Sequence, residues 1–168
     1  SLGRGVLDGY KVLVTAGPTR EPIDPVRFIS NYSSGKMGYA IAEYCRDLGA
    51  NVRLISGPVR LNKPERIAYK DIETSTEMFN EVMKSIDEFD VIISAAAISD
   101  YKPSDILDHK HKKHDGGLTI NLVRGSDILK TAKEKNKKIY AVGFSAETEN
   151  IIDNAVTKLQ EKKLDLII

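Results

Sequence analysis

Eight consecutive residues, Asn31, Tyr32, Ser33, Ser34, Gly35, Lys36, Met37 and Gly38, put an amide, two adjacent serine hydroxyls, glycines and a cation at an expected helix start. Glycines let a backbone approach a ligand closely. A helix start offers unpaired N–H groups and a partial positive charge, which suits a phosphate. Lys36 adds charge. The plainer alternative is that Ser33 or Ser34 simply caps the helix.

Two look-alikes of this loop are disfavoured. A P-loop needs Ser or Thr after Gly-Lys to hold magnesium, and Met37 stands there. Tyr32 and Lys36 have the spacing of a short-chain dehydrogenase pair, but that pair lies late in its fold and this one comes after the first strand. The turn at Ala16, Gly17, Pro18 and Thr19 lacks the Gly-x-Gly-x-x-Gly pattern, which argues against a standard NAD site.

Other loops carry polar groups at expected strand ends. Ser94, Ala95, Ala96 and Ala97 leave room for a ligand against the backbone. Asp100 could bind a hydroxyl, an amide or a hydrated magnesium, or only shape a turn. All three histidines fall between His109 and His114. The interleaved Lys110, Lys112 and Lys113 would repel a zinc ion, so a basic loop able to close over a polyphosphate, or a solvated charge run, fits better. Arg124, Gly125 and Ser126, leading into a helix, could contact phosphate or sugar. Phe144 could stack on a base or pack. Lys158 and Lys162 share a helical face and could reach phosphates or stay solvated. Cys45, the single cysteine, lies on an apolar stripe with Met37, Ile41 and Leu48 and reads as core.

The elements that must hold these loops are set by periodicity. Strands are expected at 10–15, 52–55, 67–69, 91–95, 118–123, 139–144 and 164–168. Helices are expected at 36–48, from a Thr74–Glu77 capping box onward with Met78, Val82 and Ile86 on one face, at 127–135, and at 149–162 with Ile152, Ala155, Val156 and Leu159 inward. The alternation predicts an α/β fold, a Rossmann-like three-layer α/β/α sandwich around a mostly parallel sheet. Ligands then sit at the carboxyl ends of strands, after Thr15, Ser56, Ala95, Val123 and Phe144. The chain has 168 residues, 29% of them charged, and a formal net charge of +1. That length suits one domain, and the charge carries no bias toward nucleic acid or a membrane surface. Residues 91–98 are the most apolar stretch and are too short to span a bilayer. A lone cysteine excludes an internal disulfide and suits the cytoplasm.

In combination these motifs are specific. The segment from Thr15 through Arg20, Arg27 and Asn31 to Gly38 closely resembles the opening signature of bacterial phosphopantothenate–cysteine ligase. Residues 95–101, the Lys110 loop and residues 142–150 resemble further motifs of that family, often the C-terminal half of a bifunctional coenzyme A biosynthesis flavoprotein. The resemblance implies CTP-dependent, magnesium-assisted ligation of 4′-phosphopantothenate with L-cysteine. The carboxylate attacks the α-phosphate, an acyl-cytidylate forms and pyrophosphate leaves; the cysteine amine then displaces CMP, giving phosphopantothenoylcysteine. By the same resemblance Asn31, Lys110 and Arg27 are catalytic, with Arg27 acting across a homodimer. Gly17, Ser33, Gly35, Gly38, Ser94, Ala95, Ala96, Asp100, Lys110, Val123, Arg124, Gly125, Ser126, Phe144, Lys158 and Lys162 bind the nucleotide. Arg27, Asn31, Ala96, Ala97 and Asp100 hold phosphopantothenate. No side-chain metal site is implied beyond magnesium on the nucleotide near Asp100. A flavin decarboxylase domain, and FMN with it, belongs elsewhere in the fused protein. Two departures stand out: His111 replaces an apolar loop residue, and the family continues past Ile168. Residues 1–168 are therefore expected to be a ligase domain shortened at its C-terminus.

Overall fold

The computed structural model describes residues 5–110, 118–146 and 149–168. Its elements begin with β1 (Lys11–Ala16), β2 (Arg20–Pro22), β3 (Phe28–Ser30), α1 (Lys36–Asp47), β4 (Asn51–Ser56), β5 (Ala68–Asp71) and α2 (Ser75–Ser85). They continue with β6 (Val91–Ser94), β7 (Tyr101–Pro103), β8 (Leu122–Arg124), α3 (Ile128–Lys135), β9 (Tyr140–Gly143), α4 (Ile151–Glu161) and β10 (Leu166–Ile167).

Five of the six β1 residues are buried, so this strand needs cover on both faces. Val12, Val14 and Ala16 point to one face, where Tyr39, Ala42 and Cys45 of α1 meet them together with Val52 and Leu54. Leu13 points to the other, against Ile55, Ile92, Met78 and Val82 of α2 and Ile128, Leu129 and Ala132 of α3. These two cores make the expected three layers. Burial raises the Cys45 thiol pKa, as suits a core residue. The buried stripe of α1 runs through Gly38, Tyr39, Ala42 and Cys45, whereas Met37 is exposed. The Thr74–Glu77 capping box is present: Thr74 accepts from Glu77 N at 3.1 Å while Glu77 accepts from Thr74 N at 3.3 Å.

The central sheet has the order β10-β9-β6-β1-β4-β5, and every strand pair in it is parallel. The chain winds outward from β1 to β5, then returns to the far side of β1 and winds out to β10. The reversal leaves a crevice between β1 and β6 at their carboxyl ends, the ligand position of open α/β sheets.

Two further expectations fail. The 118–123 segment adds no strand to this sheet: β8 pairs antiparallel with β7 in a separate two-stranded ribbon, with Leu122 and Val123 exposed. On α4, Ile152 is 77% and Val156 46% exposed. This helix lies beside the two-residue edge strand β10, and among its described side chains the row carrying Leu159 packs on the core. A narrow sheet margin can cover one row of a helix, not two.

Candidate functional site

The crevice is built by clamping the segment after β6 onto the turn after β1. Gly17 turns the chain with φ 73°. Ala95 N donates to Thr15 O at 3.1 Å, Ala97 N to Gly17 O at 2.9 Å, and Thr19 N to Ala97 O at 3.3 Å. Buried Thr19 accepts from Ser99 N at 3.0 Å through Oγ1. The 94–100 segment is thereby fixed as the floor.

One wall comes from the β2–β3 hairpin and the start of α1. Asn31 directly succeeds β3 and donates through Nδ2 to Ile98 O at 3.2 Å and Ala97 O at 3.4 Å. Two carbonyl acceptors require the NH2 group on that side, so Oδ1 is left to meet a ligand. The serines do not cap α1. Its N-cap is Gly35 at φ 75°, without a side-chain cap bond, while Ser33 Oγ accepts from Gly35 N at 3.3 Å and Ser34 Oγ from Lys36 N at 3.4 Å. The plainer capping reading of the loop is thus set aside.

The opposite wall comes from α3, the β9 end and α4. Asp127 caps α3 by accepting from Lys130 N at 3.1 Å and also pairs with Lys162 at 2.9 Å. Gly125 N donates to Asp100 O at 2.8 Å, joining this wall to the floor. The cleft measures about 610 Å³.

Asn31, Ser33, Ser94, Ala95, Ala96, Ala97, Asp100, Arg124, Gly125, Ser126, Phe144, Lys158 and Lys162 all line this one cleft. Gly17, Gly35, Gly38, Val123, Arg27 and Lys110 do not. The glycines make close approaches to protein instead: a Cβ on Gly35 would lie 2.7 Å from Val59 Cγ1, and one on Gly38 2.5 Å from Ala16 Cβ. Val123 sits on the ribbon. Arg27 lies on the hairpin, where the buried Asp24 carboxylate accepts from its guanidinium Nε at 2.9 Å and from Arg27 N at 2.9 Å. Lys110 is exposed at the end of a described segment; His111, Lys112, Lys113 and His114 fall outside the described residues. Tyr32, fully exposed, and Met37 also line the cleft; the sequence placed both in the candidate loop but gave neither a binding role. An exposed aromatic beside Asn31 was the available signal. Asp127 as the partner of Lys162 had none, because the pair spans two elements.

Among the described residues no three His, Cys, Asp or Glu side chains converge on a metal-sized site. Asp100 remains as a single carboxylate on the floor. That suits magnesium held mainly by phosphate oxygens and water rather than a protein cage.

Residues 7–168 match the family described as the DNA/pantothenate metabolism flavoprotein C-terminal domain. The chain is 50% identical over 163 residues to the coenzyme A biosynthesis bifunctional protein CoaBC of Bacillus subtilis, covering 96% of this chain and 40% of that protein. CoaBC of Vibrio vulnificus is 44% identical over 164 residues, at 96% and 41% coverage. A crystal structure of the C-terminal domain of CoaBC aligns with a TM-score of 0.85 at 45% identity, over 96% of this chain and 76% of that one. The chain spans about two fifths of the length of these curated relatives.

Proposed function

This chain belongs to the family of the DNA/pantothenate metabolism flavoprotein C-terminal domain, and from that premise we propose that it carries out the ligase step of coenzyme A biosynthesis. The reaction joins 4′-phosphopantothenate to L-cysteine at the expense of CTP, through an acyl-cytidylate. The observation that carries this reading is the β1/β6 crevice, where Asn31, Asp100, Phe144, Lys158 and Lys162 converge.

The walls supply the chemistry. A carboxylate is a poor electrophile toward an amine until its oxygen is made a leaving group. Phe144 offers a ring for the base, and Lys158 and Lys162 offer positive charge for the nucleotide. With the nucleotide there, its α-phosphorus lies over the 94–100 floor. The phosphopantothenate carboxylate forms a bond to that phosphorus as the bond to the bridging oxygen breaks, and pyrophosphate departs with the electron pair. Asn31 Oδ1, turned outward because Nδ2 donates to the Ala97 and Ile98 carbonyls, accepts from an N–H or O–H of the pantothenate part and so places the acyl carbon for the cysteine amine, which expels CMP. Asp100 would hold magnesium, whose charge neutralises phosphate oxygens. Lys110 adds positive charge toward the triphosphate.

Arg27 is assigned to the neighbouring subunit's substrate phosphate in a homodimer. Supporting this, the hairpin carrying Arg27 contacts the segment after β7 through Leu107 N to Ile23 O at 2.9 Å, and Val26, Phe28, Tyr101 and Leu122 are exposed on the two ribbons. The proposed setting is the cytoplasm, with a flavin decarboxylase domain fused in the whole protein; no helix among the described residues is long and apolar enough to cross a membrane.

The test is pyrophosphate release from CTP, expected only when 4′-phosphopantothenate is present. The assay is run on this chain and on a form extended to the length of the CoaBC C-terminal domain, of which this chain covers 76%. Folded protein that binds CTP yet releases no pyrophosphate in the longer form would overturn the ligase reading.

A further inference from the structure

We propose that a second cleft, on the other side of Ser33, receives the pyrophosphoryl end of the nucleotide and holds the pyrophosphate once it leaves. This rests on the ligase reading and adds to it Arg20 and Arg60, which that reading does not use. The cleft measures about 460 Å³ and lies between the α1 start, the β2–β3 hairpin and residues 58–61. Arg20, Lys36 and Arg60 line it, and no carboxylate does.

Its polarity is that of an anion site. Lys36 and Arg60 are exposed and make no ion pair among the described residues. Arg20 is fixed at the rim, 4.7 Å over the Phe28 ring and 3.7 Å from Glu73. Ser33 and Ser34 accept backbone N–H bonds, so each keeps its hydroxyl hydrogen to donate outward. Ser30 is spent differently, donating to Thr19 O at 2.8 Å. The lining thus offers cations and hydroxyl donors facing a common space, which suits a multiply charged phosphate.

The cleft is also placed and stiffened for that role. Ser33 lines both clefts, so the two meet at one residue. In the catalytic cleft the lysines stand on the wall opposite Asn31, and Lys162 is already paired with Asp127. On the Ser33 side the charge comes from Lys36 and Arg60. The wall carrying Arg60 is anchored where Gly57 passes Pro18 so closely that a Cβ would lie 1.7 Å from Pro18 O. Ser56 Oγ donates to Gly57 O at 2.8 Å and accepts from Tyr39 OH at 3.3 Å, tying the same turn to α1. A wall held this way loses little freedom on binding.

The experiment is calorimetric titration of the chain with inorganic pyrophosphate, sulfate, CMP and CTP. It compares the unaltered chain with Arg60→Ser and with Arg60→Ser combined with Lys36→Gln, all checked for the same thermal midpoint. Both altered side chains are exposed, so the fold is expected to persist. Pyrophosphate is expected to bind more tightly than sulfate, and the double substitution to weaken pyrophosphate and CTP by about tenfold while leaving CMP unchanged. Pyrophosphate binding that ignores both substitutions, or sulfate binding as tightly as pyrophosphate, would overturn the proposal. If CTP and CMP bind normally but pyrophosphate does not, the second cleft falls and the ligase reading stands. If neither nucleotide binds while pyrophosphate binding still depends on Arg60, the nucleotide reading falls and only a bare anion site remains.

Discussion

Asn31 shows how much one amide can decide. Its Nδ2 donates to the carbonyls of Ala97 and Ile98, so a carboxylate there would set oxygen against oxygen. Asn31→Asp is expected to slow conversion of the acyl-cytidylate to product by about a hundredfold through misplacement of the acyl group. Trapping the intermediate and chasing it with cysteine measures this, and an unchanged chase would remove Asn31 from the second step. The residue types of the site were legible because hydroxyls, glycines and cations cluster in short loops. The contacts were not. Asn31 meets Ile98 across 67 residues, and no local period reports such a meeting. Glu21 is a sharper case: a charged residue only 2% exposed, its carboxylate accepts from Ser75 N at 2.9 Å and ties the hairpin to the start of α2. Within the three residues of β2 nothing marks it as buried.

Among the elements, α1 depends on contact with β1 at Gly38. Gly38→Ala is expected to cost about 1–3 kcal/mol, because α1 must move off Ala16 to admit the methyl group. Urea denaturation measures the loss; unchanged stability would show that the helix has slack there. Signals confined to one turn read well, which is why the capping box of α2 was visible in Thr74 and Glu77. The core face of α2 was equally plain, since Met78 and Val82, and Ile86 just past its end, all have zero exposure. The inward face of α4 did not read, because apolar spacing fixes a stripe but not the width of sheet available to cover it. The same limit misplaced 118–123: alternation marks an extended segment, while its partner, here β7, is a tertiary choice.

For the whole molecule, the layers and parallel order were legible in the alternation of strand and helix, whereas the small ribbons were not. The outer half of the sheet is fastened at Asp165, which accepts from Lys133 Nζ at 2.7 Å and Ala141 N at 2.8 Å. Burial pushes its carboxyl pKa up, but those two bonds and the lysine charge outweigh it and hold the value below the ordinary one. A lowered folded pKa stabilises the fold above the ordinary carboxylate range, and the gain is lost as pH falls through the folded value. Asp165→Asn is therefore expected to lower stability at neutral pH and to flatten its decline below about pH 4. Denaturant midpoints across pH measure both, and a parallel curve would place the acid sensitivity elsewhere.

The central position of β1 also bears on how the protein is made. β4, its first neighbour, comes soon after it in the chain, but Thr15 and Ser94, which face each other in the β1–β6 pair, are 79 residues apart. During synthesis from the N-terminus, β1, α1, β4 and β5 can assemble while the other edge of β1 still waits for a partner. An unpaired edge of that kind invites pairing with other chains. The crevice is therefore both the last part of the centre to close and, until then, the most exposed seam for a chaperone or another nascent chain.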